Sequence, residues 1–181
     1  YLNDGAGNWG TNRDFGSASS FTRELAMADI DGDGDLDIGV VEFGLTNNAY
    51  INDGAGNFIN SKVIDSGSLN SIGLVFADVD NDGDLDIVVL FSQEWETVQA
   101  FVNDGAGHFT PIVLHDVADA DYSSSGLSMG DIDGDGKDDL VVGIPTDDTT
   151  GTDGGKIIVY MGTGAFLPSD FISATLYGEV A

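Results

Sequence analysis

Short runs of β-branched and aliphatic residues alternate with aspartate- and glycine-rich stretches along most of the chain. In Leu25-Ala26-Met27-Ala28, Leu74-Val75-Phe76-Ala77 and Leu127-Ser128-Met129-Gly130 the larger apolar residues fall at every second position, the period of a strand. A second set, Ile38-Gly39-Val40-Val41, Ile87-Val88-Val89-Leu90 and Leu140-Val141-Val142-Gly143-Ile144, is apolar without alternation. Runs of this length are too short for ordinary helices and suit inner strands covered on both faces. A third strand is expected through Ala49-Tyr50-Ile51 and Gln99-Ala100-Phe101-Val102. Each leads into an Asp-Gly pair, Asp53-Gly54 or Asp104-Gly105, a hairpin signal because glycine accepts positive φ. A fourth strand would leave these turns at Phe58 and Phe109. No spacing of helical period is sustained over about ten residues.

The pattern is a repeat, with two motifs alternating at a period of about 50 residues, in the range of solenoids and propellers. One reads DIDGDGDLD from Asp29, DVDNDGDLD from Asp78 and DIDGDGKDD from Asp131. The other reads NDGAGNW from Asn3, NDGAGNF from Asn52 and NDGAGHF from Asn103, with a worn version at Gly162 to Phe166. Four antiparallel strands per repeat describe an all-β fold of β-propeller blades. Residues 1–17 would end a preceding blade, 18–66, 67–122 and 123–175 would be complete blades, and 176–181 would open another. A propeller closes with about four to eight blades. Three complete ones therefore imply a longer chain, an oligomer or filament, or an open stack. Tyr1 falls inside a copy of the second motif, so the sequence is expected to be a piece of a longer protein.

Charge sharpens this picture. The formal net charge is -27, from 32 acidic residues against five basic ones, while 41% hydrophobic residues are those of a folding chain. Such a charge repels nucleic acid phosphates and anionic lipid heads, and no apolar run approaches the roughly 20 residues of a membrane-spanning helix. Neither nucleic acid nor membrane insertion is expected. Fifteen of the 32 acids lie inside the three loops of the first motif, so the charge is a local demand. There is no cysteine, which excludes disulfides and thiolate metal sites.

Within each loop aspartates recur at positions one, three, five and nine: Asp29, Asp31, Asp33 and Asp37; Asp78, Asp80, Asp82 and Asp86; Asp131, Asp133, Asp135 and Asp139. Four carboxylates so close repel one another unless a divalent cation sits among them. Calcium, a hard ion taking about six to eight oxygens with tolerant geometry, fits best, giving three sites. Glycine at position six, Gly34, Gly83 and Gly136, permits the reversal around the ion. Position seven is Asp35, Asp84 and Lys137, and since an ammonium cannot ligate calcium, it would contribute its backbone carbonyl. The helix-loop-helix calcium hand fails, because its twelfth-position glutamate would fall at Val40, Val89 and Val142. The NDGAG turns are hairpins by this reading, since a phosphate cradle would want a following helix and a basic residue.

These residues resemble the FG-GAP, or integrin α-type, β-propeller repeats and the related repeats of bacterial surface adhesins. Asp-x-Asp-x-Asp-Gly-x-x-Asp followed by an apolar strand matches that family's calcium loop at all three sites. The third repeat is nearest, through Asp139-Leu140-Val141-Val142-Gly143-Ile144-Pro145 and Gly155-Lys156-Ile157-Ile158-Val159-Tyr160. The resemblance makes Gly178-Glu179-Val180-Ala181 the entry to another repeat, and makes the calcium loops structural, on blade edges. The function expected is a calcium-stabilised extracellular module of a surface adhesin or filament, binding a protein, a glycan or further copies of itself. The alternative is an accessory or catalytic propeller of a polysaccharide-degrading enzyme. No catalytic or organic-cofactor residue is assigned. His108 takes a turn position held elsewhere by Asn8 and Asn57, and His115 beside Asp116 has no nucleophile partner in the sequence. Candidate partner contacts lie at Gly44 to Asn48, at Gln93 to Thr97 with Trp95, and at Pro145 to Gly155.

Overall fold

A computed structural model describes residues 5–8, 10, 12, 14–16, 21–58, 60–65, 67, 70–92, 96–117, 126–144, 155–163 and 172–177, with backbone alone at 96, 97, 115–117, 156 and 172–177. The described residues hold twelve strands and no helix. The first sheet is β1 (Thr22–Ala28), β2 (Asp37–Glu42), β3 (Asn47–Ile51) and β4 (Asn60–Asp65). The second is β5 (Ser71–Ala77), β6 (Asp86–Phe91), β7 (Glu96–Asn103) and β8 (Phe109–Val117). The third is β9 (Gly126–Gly130), β10 (Asp139–Ile144), β11 (Lys156–Met161) and β12 (Ile172–Tyr177). In each sheet every strand pairs antiparallel with the next in sequence.

The expected all-β architecture of four-stranded antiparallel units is thus found. One boundary is corrected. Leu176 and Tyr177, expected to open a following blade, pair with Ile157 and Lys156 as the end of β12 in the third sheet. The cause is a longer connection: residues 162–171 separate β11 from β12, whereas 104–108 suffice between β7 and β8. None of the described residues among 1–17, expected to end a preceding blade, lies in a strand. Residues 178–181 lie outside the described ones.

Alternation along the inner strands explains how the sheets pack. Ile87, Val89 and Phe91 of β6 join a core with Val41, Ala49 and Ile64 of the first sheet. Val88 and Leu90 point the other way, into a core with Leu140, Val142 and Ile144 of the third. All five β6 residues are buried, as the unbroken apolar run requires. β5 packs against β1 and β2, and β9 against β5, so the sheets stack in chain order.

Fit between sheets is specific at Gly39, where an added Cβ would come within 2.7 Å of Phe76 Cζ. Gly39→Ala should therefore cost about 1–3 kcal/mol by overpacking. Chemical denaturation reads this, and Phe76→Met, which shrinks the opposing side chain, should recover most of the loss. A Gly39→Ala variant of unchanged stability would contradict the packing described.

Candidate metal centres

The acidic loops are the β1–β2, β5–β6 and β9–β10 connections, and all three open from the same register: Ala28 opposite Asp37, Ala77 opposite Asp86 and Gly130 opposite Asp139. Position nine is therefore the first residue of the inner strand, and its carboxylate is buried in every repeat. Its Oδ2 accepts the N–H of position two, from Ile30 at 2.9 Å, Val79 at 2.7 Å and Ile132 at 2.7 Å. Its Oδ1 accepts an N–H from just past or at the end of the third strand, from Asn52 at 2.7 Å, Asn103 at 2.8 Å and Gly162 at 2.7 Å. One side chain thus ties the loop's start to the turn that follows. The sequence pattern marked this aspartate only as a ligand.

Position one closes the rest of the loop. Oδ2 of Asp29, Asp78 and Asp131 accepts the N–H of the position-six glycine at 3.0, 3.1 and 2.9 Å. That glycine has φ of 94°, 97° and 86°, the left-handed region that a side chain disfavours. Position four is left-handed as well, at Gly32, Asn81 and Gly134, and Asn81 is the one non-glycine with positive φ among the described residues. Asparagine is the side chain that best tolerates this conformation, which explains why it can replace glycine there.

Carboxylates gather where the loops close. One oxygen each from Asp29, Asp31 and Asp33, from Asp78, Asp80 and Asp86, and from Asp131, Asp133 and Asp139 lie within 4.8 Å of one another. Asp37, Asp82 and Asp135 belong to the same loops but fall outside these triplets. Asp29 Oδ1 and Asp31 Oδ1 are buried and accept no hydrogen bond. Buried carboxylate oxygens are costly without a partner, which singles out the first cluster; by the convergence of their carboxylates all three could hold a metal ion, and the hard oxygen donors suit calcium. Burial is the leading cause that pushes the Asp37 and Asp80 carboxyls upward, and it pushes Asp86 to about 6 despite the N–H groups of Asn103 and Val79. A bound cation opposes that trend by favouring the charged form.

Position seven turns its side chain out of the loop. Asp35 and Asp84 lie against Gly54 and Gly105 of the following turn, where an added Cβ would collide with them. Lys137 instead pairs with Asp135, its Nζ 2.7 Å from Oδ2. The third loop thus has a cation of its own beside position five. Lys137→Ala should tighten metal binding at this loop by about two- to fivefold, the effect of removing about 0.5–1 kcal/mol of screened repulsion. Titration calorimetry on the variant checks this, and unchanged or weaker binding would count against a cation site there.

The NDGAG turns are hairpins pinned by their own side chains. Asp53 N–H donates to Asn57 O and Asp104 N–H to His108 O, both at 3.2 Å. Asp53 Oδ1 accepts from Ala55 and Asn57, and Asp104 Oδ1 from Ala106 and His108. These bonds hold the Asp53 and Asp104 carboxyls below the usual range, at Asp53 chiefly through the Asn57 side chain and at Asp104 chiefly through the Ala106 N–H. His108 is exposed and its Nδ1 lies 2.9 Å from Asp104 Oδ2, so it belongs to the turn. Trp95, the side chain of His115 and residues 145–154 lie outside the described residues.

Stacked four-stranded antiparallel sheets, each with an acidic loop in the same register, define a β-repeat protein with one candidate cation site per repeat. The family model described as FG-GAP-like repeat matches residues 43–89 and 89–142. The chain belongs to the FG-GAP-like repeat family. No curated protein matches it.

Proposed function

We propose that this chain is a calcium-stabilised, β-propeller-like repeat module that works outside the cell in a structural or adhesive role, holding a protein or glycan partner. The observation that carries the calcium reading is the pair of buried, unpartnered oxygens on Asp29 and Asp31, inside a loop where Asp29 Oδ2 and Asp37 Oδ2 accept backbone N–H groups. Asp29, Asp31, Asp33 and Asp37, with the carbonyl of Asp35, would hold the first ion. Asp78, Asp80, Asp82, Asp86 and the carbonyl of Asp84 would hold the second, and Asp131, Asp133, Asp135, Asp139 and the carbonyl of Lys137 the third. Each ion would draw together the position-one, -three and -five carboxylates, whose repulsion otherwise opposes loop closure.

A site saturated by protein oxygens leaves no place for substrate, which favours structure over catalysis. Extracellular calcium is abundant enough for weak sites of about 10⁻⁴ to 10⁻³ M, which supports a location outside the cell. Calcium titration of the intact chain by calorimetry tests the core of this reading: binding at three sites is expected, and absence of binding would sink it. A glycan array and a surface-protein pull-down, run in calcium and in chelator, then test the adhesive role.

A further inference from the structure

The two joints inside the stack are built from different chemistry at matching positions. Where the second sheet meets the first, position eight of the second loop is Leu85, which packs on the core that the two sheets share. Asn103, at the end of β7, is buried beside it. Its Nδ2 donates to Leu85 O at 3.1 Å and across the joint to Ile30 O at 2.7 Å. This joint is neutral at both positions. Where the third sheet meets the second, position eight is Asp138 and the counterpart of Asn103 is Gly162. The two correspond because Asp139 Oδ1 accepts the Gly162 N–H as Asp86 Oδ1 accepts that of Asn103. An added Cβ at Gly162 would collide with Asp138 O, so no side chain fits where the Asn103 amide stands. The second joint therefore has neither the leucine nor the amide.

A carboxylate takes their place. Asp138 reaches back across the joint toward the backbone N–H of Asp78, position one of the second loop. Its charge then stands beside the Asp78 carboxylate of one loop and the Asp131 and Asp139 carboxylates of the other. Lys137, the basic residue of the third loop, is already engaged by Asp135 at 2.7 Å.

We propose that the second joint is a calcium-dependent hinge, closed when cations occupy the second and third loops and loosened by repulsion around Asp138 when they leave, while the first joint stays shut in both states. Carboxylates facing one another across a joint repel, whereas a divalent cation among Asp78, Asp80 and Asp86 draws the same Asp138 charge inward and leaves it aimed at the Asp78 N–H. The contact of Leu85 and the amide bond of Asn103 need no counter-ion. The calcium half of this inference rests on the cation sites proposed above; the repulsion at Asp138 does not. The chain would then stiffen at one defined place as calcium rises.

Hydrogen exchange of the intact chain, read by mass spectrometry, tests the hinge. In chelator at low salt the amides of β9 and β10 should exchange about tenfold faster than in calcium. Asp138→Asn keeps an oxygen for the Asp78 N–H and removes the charge, so in chelator it should recover most of the lost protection. Salt at about 1 M, which screens charges beyond about 3 Å, should rescue the wild type in chelator and add little to the variant. Leu85→Asp should carry the behaviour to the first joint, making exchange in β1 and β5 depend on calcium. Calorimetry on the same samples reports whether calcium binds at all. If it binds and β9 and β10 are indifferent to it, or if Asp138→Asn in chelator exchanges as fast as wild type, the hinge is overturned. If it does not bind, the cation reading falls by itself, and rescue by salt and by Asp138→Asn still decides whether charge loosens the joint: rescue by both upholds the repulsion, and failure of either overturns it.

Discussion

Stripping calcium from the folded chain with a chelator should lower its melting temperature by on the order of 20 °C relative to calcium at about a hundred times the dissociation constant. The size follows from linkage. An ion that binds only the folded state adds about 2.7 kcal/mol per site at that concentration, hence about 8 kcal/mol for three independent sites. For a chain of 181 residues each kcal/mol moves the midpoint by about 2–4 °C. Asp29→Ala, which removes one of the unpartnered oxygens together with the exposed acceptor of the Gly34 N–H, should lose about a third of the increment and lower the calcium-free midpoint by only about 2–4 °C. Scanning calorimetry in calcium and in chelator measures both. A midpoint indifferent to calcium would end the proposal that ions stabilise the loops.

Asp86→Ala should behave differently, lowering stability by about 3–5 kcal/mol even in chelator. Its carboxylate is fully buried and receives the N–H groups of Val79 and Asn103, so truncation orphans two donors inside the protein. Asp86→Asn keeps one acceptor oxygen and should fall between wild type and alanine. Asp84→Ala, one turn away in the same loop, removes a side chain that faces the Gly105 turn and should change stability by less than about 1 kcal/mol. Urea denaturation of the three variants in chelator distinguishes the roles. Equal losses for Asp86→Ala and Asp84→Ala would show that position nine is no backbone staple.

The contrast between those two aspartates also marks how far the sequence could be read. Strand period and β-branched runs located the first two strands of each sheet and the third strand of the first two sheets, because burial on one face or two leaves its mark on every residue. The fourth strand was harder. β12 starts well beyond the turn at Gly162, and its length of connection depends on residues whose pattern carries no period. The acidic loops were legible as candidate cation sites because repulsion among carboxylates is a property of composition and spacing alone. Spacing did not reveal that Asp37, Asp86 and Asp139 divide their two oxygens between two backbone segments, since one of the two partner N–H groups lies 15 to 23 residues away in sequence. Likewise the need for a left-handed residue at position four was hidden by Asn81, which breaks the glycine pattern while meeting the same requirement.

Asn103 binds the carbonyl of Leu85 in its own repeat and that of Ile30 in the one before. Its amide is thus a plug, and the position-two carbonyl of the preceding loop is its socket. A segment of one period that copies this arrangement carries both parts with it. Duplication of such a segment within a gene would extend the stack with no new interface to invent, and deletion would shorten it and leave the flanking repeats able to rejoin. Repeat number is then a quantity that selection can vary in whole steps, independently of the residues that recognise a partner.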